Sequence, residues 1–412
     1  MKKIIKKSFK FLLFTLIAIL ITVNLFIVLS GRFYIYKGIA NTYLVGKMGP
    51  GIYDLDVFPY STLKAPKDKS IVTYSSNFNT FKLSKKDRKY IDDLETTAFL
   101  VYKGNTLVYE EYWGEHTEKT VSNTFSTAKT VVSMLIGIAT EEGDIKSLDD
   151  PVWHYLKEFK AKGRDKITVR DLLTMSSGLD WTESAKNPLS DNAESYYGED
   201  LKRLVMGQDV ISKPGKVFKY QSGNSQLLGF IVESATGKDL SKYAQEKLWS
   251  KLGMEHDAYW SLDKINGDEK AFCCLYSVAR DYGRIGQLFV NKGKCGAEQI
   301  IPEWYFKEMN TLADLLTEDG IPNYRYGFHT WYYNEGDNEV NYCRGVSGQY
   351  IISRPKEDLL IIRLGKKRAP DVKIADYNAN PKKFSKYKVG HPTDLFEYLR
   401  IGKAINLKSE SK

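Results

Sequence analysis

Residues Phe11 to Leu29 read FLLFTLIAILITVNLFIVL, nineteen positions without a charge. Thr15, Thr22 and Asn24 are the polar residues in the run. At about 1.5 Å of rise per residue, a helix of this length nearly crosses a hydrocarbon core of roughly 30 Å. Lys2, Lys3, Lys6, Lys7 and Lys10 stand directly before it, which argues against a buried core helix. The run exceeds the apolar stretch of about 7–15 residues found in signal peptides, so it reads as an uncleaved single-pass anchor in the cell membrane. A cleaved signal peptide is the alternative, with Val28-Leu29-Ser30 as a weak small-residue cleavage site. The lysines predict a cytoplasmic N-terminus and place the chain from residue 32 onward on the extracytoplasmic side.

The remainder is ordinary globular sequence. The chain has 412 residues, 42% hydrophobic and 13% aromatic, enough for a sizeable core and too much for a disordered, collagen-like or coiled-coil chain. Four cysteines are too few for a disulfide scaffold. Five scattered histidines, without C-x2-C or H-E-x-x-H, offer no metal site, and no cofactor motif appears. The net charge of +9 is concentrated in the N-terminal lysines and in 366–388, where eight basic residues face two acidic ones. The rest is mildly acidic, which is not a nucleic-acid footprint. The basic stretch reads as a solvated loop.

Two hairpins bracket the body. Phe99-Leu100-Val101-Tyr102 and Leu107-Val108-Tyr109 flank a Gly104-Asn105 turn, and Tyr350-Ile351-Ile352-Ser353 precedes Leu359-Leu360-Ile361-Ile362. Between them Val131, Val132, Met134, Leu135 and Ile138 follow helical spacing up to Gly143, and 227–232 and 243–252 also look helical. This pattern predicts an α+β fold, with one antiparallel sheet built from both chain ends and flanked by helices. Residues 32–89 form a polar lead-in.

Ser126-Thr127-Ala128-Lys129 is an S-x-x-K tetrad. Three residues are nearly one helical turn, so both side chains share a face. Serine needs a base to become a nucleophile, and lysine can serve once burial or positive charge lowers its pKa. Six serines in the chain have lysine three residues later, but only Ser126 opens an amphipathic helix. No G-x-S-x-G elbow is present, and the K-T-G element is missing.

The run NTFSTAKTVVSMLIGIATEEGDIKSLDDPVWHYL resembles the nucleophile helix of the serine beta-lactamase/penicillin-binding-protein family, in its class C-like, beta-lactamase-related branch. ITVRDLLTMSSGLDW, KPGKVFKYQSGNSQLLGFIVESATGK, KAFCCLYSVARDYGRIGQLFVNKGK and RGVSGQYIISRP resemble later blocks in the expected order. The resemblance covers roughly 90–403, leaves 1–31 as cytoplasmic tip and anchor and 404–412 as a polar tail, and is strongest to 6-aminohexanoate-dimer-hydrolase-like and esterase-like members. It implies a beta-lactamase/transpeptidase-like fold and cleavage of a small-molecule or cell-envelope ester or amide through an acyl-enzyme.

By this resemblance Ser126 is the nucleophile, Lys129 its base partner and Tyr220 the proton relay, as phenolate or hydroxyl. Ser222 falls where the family's Y-x-N element has asparagine, with Asn224 as a substitute if the loop is offset. The third motif falls on Val346-Ser347-Gly348, lacks the family's cation unless Arg344 points inward, and makes the Gln349 N–H the second oxyanion donor. The missing cation predicts a preference for neutral substrates over carboxylate-bearing ones. Trp331 and Trp181 are pocket-lining candidates, and His329 is a weaker one. Adjacent Cys273 and Cys274 read as packing residues, while Cys295 and Cys343 could pair. The alternatives to a general serine hydrolase are a beta-lactamase or DD-peptidase, and a non-catalytic penicillin-binding-like sensor.

Overall fold

The two hairpins are the middle of one sheet. The computed structural model describes residues 2–184, 186–381 and 385–410. In chain order the strands of the two larger sheets are β1 (Tyr60–Leu63), β2 (Thr73–Tyr74), β3 (Thr96–Lys103), β4 (Thr106–Tyr112), β5 (Ser122–Asn123), β6 (Ala258–Ser261), β7 (Leu275–Ser277), β8 (Trp331–Glu335), β9 (Asn338–Gly345), β10 (Gln349–Arg354) and β11 (Leu359–Gly365). The main sheet runs β8-β9-β10-β11-β3-β4-β2. Its N-terminal and C-terminal halves join antiparallel, with Leu100 opposite Ile362 and Val101 opposite Ile361. Edge strand β2 is parallel to β4. A smaller sheet, β1-β6-β7-β5, ends on the two residues that lead into the segment carrying Ser126. Lead-in residues thus contribute a strand to each sheet.

The helices used below are α1 (Lys2–Ser30), α2 (Tyr34–Asn41), α3 (Ala128–Glu141), α4 (Asp191–Tyr197), α5 (Ser222–Thr236), α6 (Ala279–Val290), α7 (Glu303–Met309) and α8 (Thr393–Glu410). Strand β3 is apolar on both faces because both are covered. Ala98, Leu100 and Tyr102 face the core shared with α3, α5 and α6. Phe99 and Val101 face Leu395, Tyr398 and Ile401 of α8. The arrangement is beta-lactamase/transpeptidase-like, a sheet between two helical layers. The polar tail expected over 404–412 is instead the end of α8 as far as Glu410, with Ile405 buried. Residues 411 and 412 lie outside the described residues.

Helix α3 is buried all round from Ala128 to Ala139, as an apolar helix inside a large core must be. Its hydroxyls find partners in the 328–329 segment. Thr130 Oγ1 donates to the His329 carbonyl at 2.7 Å and Ser133 Oγ to the Phe328 carbonyl at 3.0 Å. Helix α1 is long and apolar enough over Ile4–Ser30 to be a candidate membrane span. The chain then turns back. Tyr36 donates its hydroxyl hydrogen to Asn24 Oδ1 at 2.7 Å, so α2 lies beside the last turns of α1. Arg32 and Tyr34 reach the 188–194 segment through Tyr34 Oη to the Pro188 carbonyl at 3.0 Å and an Arg32–Glu194 pair at 3.5 Å.

The cysteines differ from the sequence reading. Cys273 and Cys274 are bonded to each other, whereas adjacency suggested packing only. Cys295 and Cys343 are free thiols, so the pairing considered for them does not form. Chain adjacency brings the first pair together; Cys343 is locked inside β9, whereas Cys295 lies in the short Lys294–Cys295 strand of a separate two-stranded sheet.

Gly137 packs α3 against α7. A methyl there would lie 2.4 Å from the Tyr305 ring, which is held by a 2.9 Å bond to Ser133. Gly137→Ala should therefore lower unfolding free energy by about 1–3 kcal/mol in denaturant titration, although alanine favours exposed helices. Unchanged or increased stability would contradict this packing.

Candidate active site

Ser126 lies in a single tight turn, Phe125–Thr127, that feeds α3. Phe125 adopts φ +48°, a left-handed conformation that non-glycine residues avoid. The surrounding bonds hold it there. Asn123 Oδ1 accepts from the Phe125 N–H at 2.7 Å, and the Leu275 carbonyl accepts from Thr124 Oγ1 at 3.2 Å. The turn leaves Ser126 half-buried while its neighbours are buried.

Lys129 is 1% exposed. Its Nζ donates to Ser126 Oγ at 3.2 Å and to the Phe272 carbonyl at 2.6 Å. No carboxylate touches it. Burial pushes its pKa down to about 8, against a smaller upward pull from Glu183. An amine that sheds its proton near neutrality, beside a serine hydroxyl, is equipped to act as a base.

The Tyr220 ring centroid lies 5.2 Å from Lys129 Nζ. Trp331 stacks on Tyr220 at 5.7 Å, and Tyr326 meets it edge-on at 5.9 Å. Burial raises the Tyr220 hydroxyl above its ordinary value, and Glu183 adds to this; the Ser126 hydrogen bond and the charges of Arg344 and Arg368 oppose it and lose. Tyr220 is therefore a phenol at neutral pH, not the phenolate that the sequence reading allowed.

Ser222 opens α5 at the same cleft. Its N–H donates to Glu183 Oε2 at 2.7 Å and its Oγ to Glu183 Oε1 at 2.8 Å. Trp181 Nε1 also donates to Glu183 Oε2, at 2.8 Å. Trp181 thus orients a carboxylate from the second layer and does not line the cleft. Glu183 was missed from sequence, although it stands two residues after Trp181 at the end of a quoted motif. Asn224 cannot substitute for Ser222, because it turns into the core, where its Oδ1 accepts from Ser177 Oγ at 2.7 Å. His329 is also internal. Its Nε2 meets Ser225 Oγ and its Nδ1 the Leu173 carbonyl, both at 2.9 Å, and burial lowers its pKa to about 3.

The third motif sits differently from its sequence reading. Gly345 packs on the nucleophile turn so closely that a methyl there would lie 2.1 Å from the Thr124 carbonyl. Ser347 and Gly348 are one step further, in a turn whose carbonyls accept from Arg363 Nη1 at 3.0 and 2.7 Å. Gln349 is buried, its Nε2 donating to the Val346 and Gly365 carbonyls at 3.0 and 2.6 Å. Gly345, followed by Val346, is therefore the glycine of this segment that packs on the Phe125–Thr127 turn. A cation lies close by: the Arg344 guanidinium is 3.8 Å from the Trp331 ring centroid. Arg344 and Arg368 share Asp371 at 3.2 and 2.7 Å, so this corner carries two cations on one carboxylate. Part of the basic stretch 366–388 thus belongs to the cleft. Among the described residues no group of three or more His, Cys, Asp or Glu side chains is arranged to hold a metal ion.

The turn and the buried amine sit against β9 and β10 of a beta-lactamase/transpeptidase-like fold, and the similarity to known proteins agrees with that fold. The chain belongs to the Beta-lactamase family, whose profile matches residues 86–380. It is 23% identical over 306 residues to the 6-aminohexanoate-dimer hydrolase of Paenarthrobacter ureafaciens, covering 69% of this chain and 76% of the relative. Among solved structures, a Bacillus anthracis protein classed provisionally as a 6-aminohexanoate-dimer hydrolase superposes with a TM-score of 0.71 at 22% identity, over 86% of this chain and 94% of the other. A family VIII carboxylesterase superposes with a TM-score of 0.56 at 18% identity, over 72% and 93%. These structural likenesses carry the fold.

Burial of Lys129 has a thermodynamic signature. The folded state binds this proton with a pKa of about 8 against a reference value of 10.5, so it binds fewer protons than the unfolded state and stability rises with pH through that window. Relative to Lys129→Met, the wild type should gain about 2 kcal/mol between about pH 7.5 and 10. A pH-independent difference in denaturant titrations would show that the amine is not desolvated.

Proposed function

We propose that the protein is a serine hydrolase that cleaves an ester or amide through an acyl-enzyme on Ser126. The observation that carries this reading is the desolvated Lys129 amine 3.2 Å from Ser126 Oγ. The neutral amine takes the hydroxyl proton as Oγ attacks the substrate carbonyl. Tyr220, as a phenol beside Lys129, hands a proton to the leaving oxygen or nitrogen and takes back the one that Lys129 removed from Ser126. The Ser126 N–H and the Val346 N–H, rather than that of Gln349, stabilise the oxyanion. Ser222, clamped by Glu183, and Trp331 shape the leaving-group side. Water then resolves the acyl-enzyme.

The same proposal assigns 1–31 to a cytoplasmic tip and membrane anchor, 32–89 to a lead-in and 90–403, together with the end of α8 that follows it, to the hydrolase domain, with the catalytic domain extracytoplasmic. The uncharged α1 behind its lysines and the α2 fold-back onto Asn24 support a tether. Substrates are then small molecules or cell-envelope esters and amides.

A fluorophosphonate probe should label the wild type and not Ser126→Ala, and the variant should lose at least about 1,000-fold in kcat. An unlabelled, inactive wild type would favour the binding-module reading, and an active Ser126→Ala would remove the nucleophile.

Arg344 favours a second reading within the same chemistry, in which the substrate carries a carboxylate as beta-lactams and D-Ala-D-Ala peptides do. A charge-assisted hydrogen bond contributes roughly 1.5–3 kcal/mol. Arg344→Gln should then cost about tenfold to a hundredfold in kcat/KM for nitrocefin and little for p-nitrophenyl acetate. An equal effect on both substrates would leave the arginine a packing role.

A further inference from the structure

Lys129 has two polar contacts, and the shorter is not the one to Ser126. Nζ lies 2.6 Å from the Phe272 carbonyl. That carbonyl belongs to the peptide immediately before the Cys273–Cys274 bridge. A bond between neighbouring cysteines closes an eight-membered ring around one peptide unit and removes most of its rotational freedom. Within that ring Cys274 holds φ +65°, a left-handed conformation that an unbridged non-glycine residue avoids. The turn is clamped from outside as well. The Cys273 N–H donates to the Lys270 carbonyl at 2.9 Å, and Trp260 Nε1 is 3.0 Å from both the Lys270 and Cys273 carbonyls. Both half-cystines are buried.

We propose that the Cys273–Cys274 ring is a positioning device for the base: it fixes the Phe272 carbonyl against Lys129 Nζ, and so aims the amine lone pair at Ser126. The inference rests on the reading of Lys129 as the proton acceptor. The other groups facing Lys129 do not provide this constraint. Ser126 is the reaction partner, and Tyr220 and Phe272 present ring faces at 5.2 and 5.6 Å. Glu183 acts through its charge, and His329, neutral through burial, is spent on Ser225 and Leu173. With the ring open, rotation at 272–274 withdraws the carbonyl. The ammonium then loses the hydrogen bond that favours it over the amine, and the amine loses its orientation.

The test uses the full chain in detergent. Unfolding without reductant in iodoacetamide should add two labels, on Cys295 and Cys343, and four after reduction; four without reductant would overturn the proposal. The double variant Cys273→Ser, Cys274→Ser should lose about tenfold in kcat on a neutral ester, keep KM within about twofold, and move the acid limb of kcat down by about half a pH unit. Cys295→Ser should change none of these. A double variant with wild-type kcat and pH profile overturns the proposal, as does one that loses only thermal stability. If the double variant does not fold, Cys274→Ser alone is read by the same criteria. Ser126→Ala separates the two levels. If that variant stays active, the Ser126–Lys129 reading itself has failed; if it is inactive while the cysteine variants behave as wild type, only the role of the ring has failed.

Discussion

An ammonium group buried without a carboxylate partner is the constraint around which the cleft is built. Water is excluded from Lys129 because α3 is a core helix with no solvent face at its start. Desolving a charge without pairing it costs several kcal/mol, and the protein avoids part of that cost by letting the amine lose its proton near pH 8. Each neighbour of Lys129 is placed to keep that balance. The Phe272 carbonyl offers a hydrogen bond without a charge, and Glu183 stays far enough away to pull only weakly. A carboxylate in direct contact would restore the ordinary pKa and leave a permanently charged lysine beside the nucleophile.

The same logic explains the aromatic and cationic wall opposite. Tyr220, Trp331 and Arg344 form one stack, from phenol to indole to guanidinium. The stack keeps water away from the phenol, so its proton stays on. Arg344 and Arg368 balance Asp371 and leave surplus positive charge at the rim. On the other side Glu183 clamps Ser222, and the 188–194 segment that follows it on the chain touches Arg32 and Tyr34 at the exit of α1. A wall of the cleft is therefore physically continuous with the candidate membrane anchor.

Much of this was legible in the sequence. The β3–β4 and β10–β11 hairpins follow from short apolar runs around turn residues, and their pairing into one sheet follows from both having two buried faces. The Ser126–Lys129 pairing follows from helical spacing once the helix is recognised as core. What stayed hidden depends on distances between remote segments. Glu183 looks like any surface glutamate until Trp181 and Ser222 converge on it. Arg344 is held beside Tyr220 because Trp331 lies beneath it. The one-step difference between Gly345-Val346 and Gly348-Gln349 is set by which glycine can touch the Thr124 carbonyl, and β9 and β10 fix that register. Asn224 lies two residues along a helix from Ser222, and that rotation turns it into the core. The Cys273–Cys274 bond depends on a left-handed residue that no periodicity announces.

The most direct test of the account is the protonation of Lys129 itself. Lysine 13Cε chemical shifts of the full chain, assigned by comparison with Lys129→Met, report that pKa without reference to turnover. The account predicts a titration midpoint of about 8. A midpoint near the ordinary lysine value of about 10.5 would show a solvated, permanently charged ammonium and would contradict the role of Lys129 as the base for Ser126.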